Sequence, residues 1–416
     1  MIELIITILK IVFLLGFLVL IHEGGHFLIA KLCKVKVNEF AIGFGPTIWK
    51  KQGKETKYAL RAIPLGGFVS MEGEEERSEE EGSFSKASIP KRIAIVIAGG
   101  TVNIIFGLLA YFILGACTGN YISNKVESIQ REQTAIQVND EIIAINNKKI
   151  RLYSDIQEEL TKSEGNPVKL DIIRNGEEMK ITETPLTQEV KNIGISFEGT
   201  TEELNSEIAI IFPDSPAERA GLQAKDTILQ VNGEEVKDNP VRIVELIRET
   251  EGKVQMQIQR GEEIVDIEIE PEILYNYTLG ITMQVAENNF GNNLYYAFWD
   301  TADFSVSIID NLKLLFTGNV SMDQLMGPVG ISETVAQTAS ITEYVYIIAL
   351  ISLSLGVTNL LPFPPLDGGK IVFLIIEGIR RKPLKESVEM GIQAAGFLIL
   401  ILLSLYVAYN DVLRIF

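Results

Sequence analysis

The sequence predicts a polytopic α-helical membrane protein, with four transmembrane helices and two α+β modules inserted on the outer side between the second and third. Three observations predict it. Four stretches are apolar over the roughly 20 residues a helix needs to cross a ~30 Å hydrocarbon core. The stretch between the second and third repeats itself at an offset of 86 residues, which carries Asp140 to Asp226. Clusters of lysine and arginine border the spans in two loops, and the segment between the second and third spans is net acidic. Composition agrees: 47% hydrophobic residues with a formal charge of −18 means greasy segments beside acidic soluble ones. That acidity leaves no basic stripe to neutralise phosphates, so nucleic acid is excluded as a partner.

The first span, residues 1–33, contains IELIITILKIVFLLGFLVLI, with Lys10 free to snorkel or to face protein. It opens on Glu3, lacks a basic start and has no A-x-A site, so it is expected to stay as an anchor and not to be cleaved as a signal peptide. The second, residues 91–117, reads RIAIVIAGGTVNIIFGLLAYFILGAC from Arg92. The third, 343–369, starts as YVYIIALISLSLGV and runs into NLLPFPPLDGG. The fourth, 389–411, carries MGIQAAGFLILILLSLYVAY.

Charge orients the set. Lys31, Lys34, Lys36, Lys50 and Lys51 follow the first span and Lys86, Lys91 and Arg92 precede the second, in or beside the loop 34–90. Lys370, Arg380, Arg381, Lys382 and Lys385 fall in or beside the loop 370–388. By the positive-inside rule both loops are cytoplasmic. Both termini and the acidic segment then lie outside a cell (plasma) membrane. The run EGEEERSEEE, Glu72 to Glu81, reads as a solvated flexible loop. Residues 287–342 are an outer linker with an amphipathic helix and a GPVGI motif. Cys33 and Cys117 form no CxxC pair, so neither a disulfide framework nor a Cys-rich zinc site is implied.

The outer repeat divides into modules at 121–190 and 191–286. DEIIAINNKKI at Asp140 matches DTILQVNGEEV at Asp226, and NIGI at Asn192 matches TLGI at Thr278. Each copy has short β-rich runs, one amphipathic helix and an R-x-G-E-E or R-G-E-E hairpin turn. With SPAERAGL, Ser215 to Leu222, the second copy resembles a PDZ domain. The first lacks the Pro and Gly of that stretch. The resemblance implies two PDZ domains, with Gly194, Ile195, Gly221 and Leu222 as peptide-binding residues. Such domains capture an extended peptide on a sheet edge, often with amides around a terminal carboxylate. They also serve as spacers or steric covers.

The chemistry is concentrated in IHEGGHFLIA, Ile21 to Ala30. His22 and His26 are the only histidines in the chain. Spaced i, i+4 they share a helix face and can bind one Zn2+, with Glu23 placed to deprotonate a zinc-bound water. They sit at the cytoplasmic end of a span, where ionisable residues mark function. A third protein ligand is needed, and no third His exists. Asp367 stands where Pro362, Pro364 and Pro365 prevent a regular helix, and broken backbone at membrane depth requires protein or a wet cavity around it. The topology brings it level with the His pair.

HExxH in the first span, NxxPxPxLDG in the third and a PDZ insertion between spans two and three resemble the site-2 protease family. Within it the chain is similar to the bacterial sigma-factor regulators with two PDZ domains. GFGP (Gly43–Pro46), PLGGFV (Pro64–Val69) and MGPVGI (Met326–Ile331) extend the match. The resemblance implies an intramembrane zinc metalloprotease that cuts the transmembrane segment of a pre-trimmed membrane protein, such as an anti-sigma factor or a signal-peptide remnant. It implies one Zn2+ per chain on His22, His26 and Asp367, with Glu23 as general base. It also implies substrate-binding roles for Asn359, Asn103, Gly66 and Gly67, the two glycines within a membrane-associated β-hairpin that pairs with unwound substrate. Two departures stand out: Gly24 and Gly25 follow HE, and AGGTVN carries Gly100 where the family has Pro.

Two other classes fit parts of the pattern, a zinc-dependent membrane transporter and a catalytically silent PDZ scaffold. A transporter survives loss of Glu23 and a scaffold survives loss of zinc, whereas a protease survives neither.

Overall fold

The computed structural model describes residues 2–74, 76–197, 205–212, 214–317, 327–336, 338 and 340–415. The chain separates into two compact units: residues 1–118 with 289–412, and residues 119–288 with the last four.

Among the described residues of the first unit, four helices are long and apolar enough to cross a membrane: Ile5–Leu32, Ile89–Thr118, Ile341–Asn359 and Glu386–Val412. They belong to α1 (Ile2–Leu32), α2 (Ile89–Thr118), α8 (Ile341–Asn359) and α10 (Glu386–Ile415). Local signals set their ends. Pro90 sits in the first turn of α2, where its missing N–H costs nothing. Ser340 and Glu343 form a reciprocal capping box at the start of α8.

The third span does not run unbroken to 369. α8 stops at Asn359, ahead of Pro362, Pro364 and Pro365, and a separate helix α9 (Asp367–Arg380) begins at the aspartate. Proline cannot donate the helix hydrogen bond and clashes with the preceding turn, so the break is local chemistry. α9 also occupies much of the predicted loop 370–388.

Small residues let these helices approach closely. A Cβ on Gly25 would lie 2.7 Å from the Ala98 carbonyl oxygen, which fixes the α1–α2 approach. A Cβ on Gly356 would lie 2.7 Å from the Gly100 oxygen, and one on Gly107 would strike Leu353. Gly100 therefore serves the α2–α8 seam, and α2 is helical straight through it. By contrast, a Cβ on Gly24 meets nothing within 4 Å.

Between α1 and α2 lie β1 (Val37–Gln52) and β2 (Lys57–Met71), a hairpin folded back on itself. Residues Glu39 to Ile42 are flanked twice, by 67–70 on one side and by 57–60 on the other. Phe27 of α1 packs against Phe40 and Tyr58 of the hairpin. No further strand lies beside 67–71 among the described residues, so that edge is free. The described part of the acidic run after β2 is not a loose loop. Asn38 donates to Glu72, Lys36 pairs with Glu80, Lys370 pairs with Glu74, and Ser78, Ser83 and Ser85 bond to one another. α6 (Phe290–Phe316) packs on α2 and α8. α7 (Pro328–Ala336) follows, with the Gly327 and Gly330 amides donating to buried Asp411 of α10. Met326 lies outside the described residues.

The second unit holds two α+β cores, nested and not sequential. β3 (Ile122–Ile129), β4 (Glu141–Ile145), β6 (Val168–Arg174) and β7 (Glu177–Glu183) make the first sheet with α3 (Tyr153–Ser163), but that sheet is completed by β16 (Ile281–Val285). Leu279 and Met283 lie in this first core with Val126 and Ile142. The other core gathers Ile193 to Ile269, around α5 (Pro240–Glu249). Thus TLGI belongs to the first core and NIGI opens the second, so the boundaries 121–190 and 191–286 do not follow the cores. A two-strand ribbon, β8 (Leu186–Asn192) with β15 (Glu272–Thr278), carries the chain out and back.

The repeat signature has a structural cause. Asp140 and Asp226, both 1% exposed, each receive an arginine from the following hairpin, Arg174 and Arg260, at 2.7 Å. Each arginine also donates to a backbone carbonyl, of Ala135 and of Gly221. A buried carboxylate requires such a partner, so Asp and Arg recur together in both copies.

Candidate active site

α1 carries His22, Glu23 and His26, and the first residue of α9 is Asp367. The helix break after α8 is what delivers a carboxylate to the histidine face. His22 Nε2 and His26 Nε2 are 3.3 Å apart, and Asp367 Oδ2 lies 3.4 and 3.2 Å from them. A tetrahedral zinc site with bonds of about 2.0–2.1 Å has ligand–ligand edges of about 3.3 Å, so the three atoms are spaced as one face of that site. The Nδ1 of His26 is 2.9 Å from the Ile95 carbonyl oxygen, which can only accept. The ring proton therefore sits on Nδ1, and Nε2 presents a lone pair. Asp367 Oδ2 is buried and finds no well-formed hydrogen bond despite two nitrogens within 3.4 Å. Three candidate ligand atoms converging within 3.4 Å of one another fit a cation.

The cluster opens onto a cavity of about 640 Å³. Glu23 faces it with the metal-ligand candidates, and the free strand edge Phe68 to Met71 forms one wall. Glu74 and Lys370 close another side, 2.8 Å apart. Burial disfavours the Lys370 charge, but Glu74, and then Asp367 and Glu23, outweigh it and hold its pKa above the ordinary lysine value.

The structure brings together His22, Glu23, His26 and Asp367, while Asn103, Asn359, Gly66 and Gly67 do not line the cavity. Asn103 is fully buried and does not line the cavity; its amide lies 3.4 Å from His22 Nδ1. Gly67 is not in the cavity wall. A Cβ there would lie 2.8 Å from the Ala41 oxygen and 3.3 Å from Glu23 Cγ, so its absence lets the hairpin seat against α1. Gly66, at φ +149°, packs on the Phe44 ring. Asn359 is the last, half-buried residue of α8, outside the lining of the cavity.

In the second unit, Ile195 lines a groove of about 390 Å³ between β9 (Ile195–Phe197) and α5, with Asn192, Phe197, Val244 and Arg248. Gly194 shapes its entry: φ is +78° and a Cβ would strike Ser215. Leu222 is a core residue and Gly221 accepts from Arg260, so neither lines the groove.

Sequence reasoning missed Gly99, Glu74 and Lys370. Gly99 is the most consequential: a Cβ there would lie 2.3 Å from His26 Nε2 and 2.8 Å from His22 Cε1. The double glycine in AGGTVN was the available signal.

The profile of Peptidase family M50 matches residues 10–403. The zinc metalloprotease RasP of Shouchella clausii is 31% identical, covering 99% of both chains. The regulator of sigma-E protease RseP of Escherichia coli is 30% identical over 96% of this chain and 97% of its own. The regulator of sigma E protease of Haemophilus influenzae is 28% identical, covering 96% of each. The chain belongs to peptidase family M50 and is a membrane zinc metalloprotease.

Proposed function

We propose that His22, His26 and Asp367 hold one Zn2+, that Glu23 is the general base, and that the enzyme cuts the transmembrane segment of a shortened single-span protein at its cytoplasmic end. The observation that carries this is the triangle of ligand atoms, 3.2 to 3.4 Å on a side, on the wall of a cavity that also holds Glu23. When bound, zinc polarises the scissile carbonyl and lowers the pKa of a water toward ~7. Glu23 takes the proton of the attacking water and passes it to the departing amine. His26 is held in its ligating tautomer by the Ile95 carbonyl.

A helical substrate hides its carbonyls in its own hydrogen bonds and must unwind before attack. The edge Phe68 to Met71 offers unpaired backbone groups to an unwound stretch and holds it beside Glu23 by strand addition. Loops 34–90 and 370–388 face the cytoplasm, as their Lys and Arg require, and the termini and the two α+β cores face outward. The two cores are PDZ domains, and the groove beside Ile195 takes an extended peptide end. The relatives' printed roles in sigma-E regulation make an anti-sigma factor the fitting substrate class, with a signal-peptide remnant as the other.

The test is comparative proteomics of membrane fragments from cells carrying the native chain or Glu23→Gln. A transmembrane protein that accumulates in shortened form only in the variant is the substrate. Identical fragment patterns would overturn the reading.

A further inference from the structure

Asn103 stands out because it is fully buried, polar and incompletely satisfied. Its side-chain Oδ1 has no hydrogen-bond partner, while Nδ2 sits 3.4 Å from His22 Nδ1. Its backbone carbonyl accepts from Ser352 Oγ of α8 at 2.9 Å, so the residue is pinned between two helices. Two difficulties coincide here. A buried carbonyl oxygen without a donor is costly. An amide N–H aimed at His22 Nδ1 would also require the ring proton on Nε2, the atom that faces Asp367 and His26.

Half a turn about the Cβ–Cγ bond gives the carbonyl oxygen a donor, leaves Nε2 of His22 unprotonated and moves no other group. Oδ1 then accepts the Nδ1–H of His22, and Nε2 is left with its lone pair toward the cluster. We propose that Asn103 is a positioning residue for the metal centre: its side-chain carbonyl accepts from His22 Nδ1 and fixes the tautomer and ring plane that present Nε2. The inference rests on the assignment of His22 as a zinc ligand. It makes the two histidines equivalent in design, each donating its Nδ1 proton to a carbonyl on α2, that of the Ile95 backbone or that of the Asn103 side chain. It also accounts for a polar side chain in an apolar helix that does not line the cavity.

The experiment uses the full-length chain in detergent and measures zinc affinity by chelator competition. Asn103→Leu, of similar volume without an acceptor, is expected to bind zinc roughly 10–100-fold more weakly. Asn103→Asp keeps an acceptor at the same place and is expected to stay within a few-fold of native. Equal losses in both variants, or none in Asn103→Leu, would overturn the proposal, because packing alone would then explain the residue.

A second measurement does not depend on folding of a variant or on zinc. The chain has only two histidines, so its ring ¹⁵N spectrum contains two imidazoles. In metal-free native protein that spectrum shows which ring nitrogen carries the proton in each neutral imidazole. His22 is expected as the Nδ1–H tautomer, and a proton on Nε2 overturns the proposal. A native chain that binds no zinc yet shows Nδ1–H at His22 overturns the metal assignment and leaves the Asn103–His22 bond standing.

Discussion

Gly99 of α2 lies directly over His26, so close that a Cβ would come within 2.3 Å of Nε2. The metal-ligand candidates are thus packed against bare backbone of a neighbouring helix. Any side chain there would occupy the space in which His26 and His22 converge with Asp367. Gly99→Ala should therefore abolish stoichiometric zinc. The substitution favours helix by up to ~1 kcal/mol, so α2 itself should persist. Metal analysis with far-UV circular dichroism checks it: full helicity with no zinc is expected, and full zinc would contradict the packing.

The two glycines of HEGGH should part company. Gly24 has open space around its Cβ position, whereas a Cβ on Gly25 would collide with the Ala98 carbonyl. Gly24→Ala should keep zinc and cleavage and gain up to ~1 kcal/mol of helix propensity. Gly25→Ala should force α1 from α2 and cost about 1–3 kcal/mol by overpacking. Thermal stability in detergent and cleavage of one substrate by both variants separate them.

Much of this site was legible because the constraints are local. Two histidines four apart must share a helix face, and three prolines must break a helix before Asp367. Charge counting and length likewise mark the spans. What stayed hidden depends on which helix approaches which. Nothing in AGGTVN says that Gly99 rather than Gly100 will face the histidines, or that Asn103 will point at His22 and not into the cavity. The nested cores were hidden for a related reason. The 86-residue offset is the same whether TLGI closes its own copy or the other, and only strand pairing of β16 with β3 decides.

Glu74 and Lys370 should behave as a coupled pair. Glu74 is the less exposed partner, with 16% of its side chain accessible against 35% for Lys370. Removing Lys370 leaves a carboxylate beside Glu23 with its counter-charge gone. Lys370→Met should cost more stability than Glu74→Gln with Lys370→Met together, with an interaction energy of about 0.5–3 kcal/mol in a double-mutant cycle. The folded pKa of Lys370 is raised, so the pair's contribution is fully present below the ordinary 10.5 and lost only as pH rises beyond it. The coupling should accordingly be flat from about pH 6 to 9. A coupling near zero would show the two residues to be independent.

Asp300 on α6 gives the opposite pH signature. Burial, with Asp303 adding to it, pushes its carboxyl from 3.8 to about 6. A raised folded pKa means that stability is greatest below 3.8 and falls as pH rises through about 6. At neutral pH the buried charge is a burden. Asp300→Asn should therefore stabilise the chain at pH 7.5 by about 1–2 kcal/mol after allowance for solvent screening. At pH 4 the benefit should vanish. Melting of native and variant protein across that range checks the sign, and a benefit larger at pH 4 than at pH 7.5 would refute it.

The nested arrangement predicts which pieces of the outer segment fold alone. Asn192 and Glu272 are paired at the end of the β8–β15 ribbon, so the chain leaves for the second core and returns at adjacent points. Replacing 193–271 by a two-residue Asn-Gly turn should join those strands as a hairpin. The first core would then keep β16 against β3, with Leu279 and Met283 still inside. A fragment covering 119–288 with that replacement should fold cooperatively. A fragment ending at residue 190 should not, because it lacks the strand and the two core side chains that β16 and its approach supply. Burying Leu279 and Met283 is worth about 1.5–3 kcal/mol each, a large share of the stability of a small domain. Amide dispersion and thermal melts of the two fragments decide the matter. If the piece ending at 190 melts as cooperatively as the rejoined one, β16 is an accessory to the first core and the sequential division would be right after all.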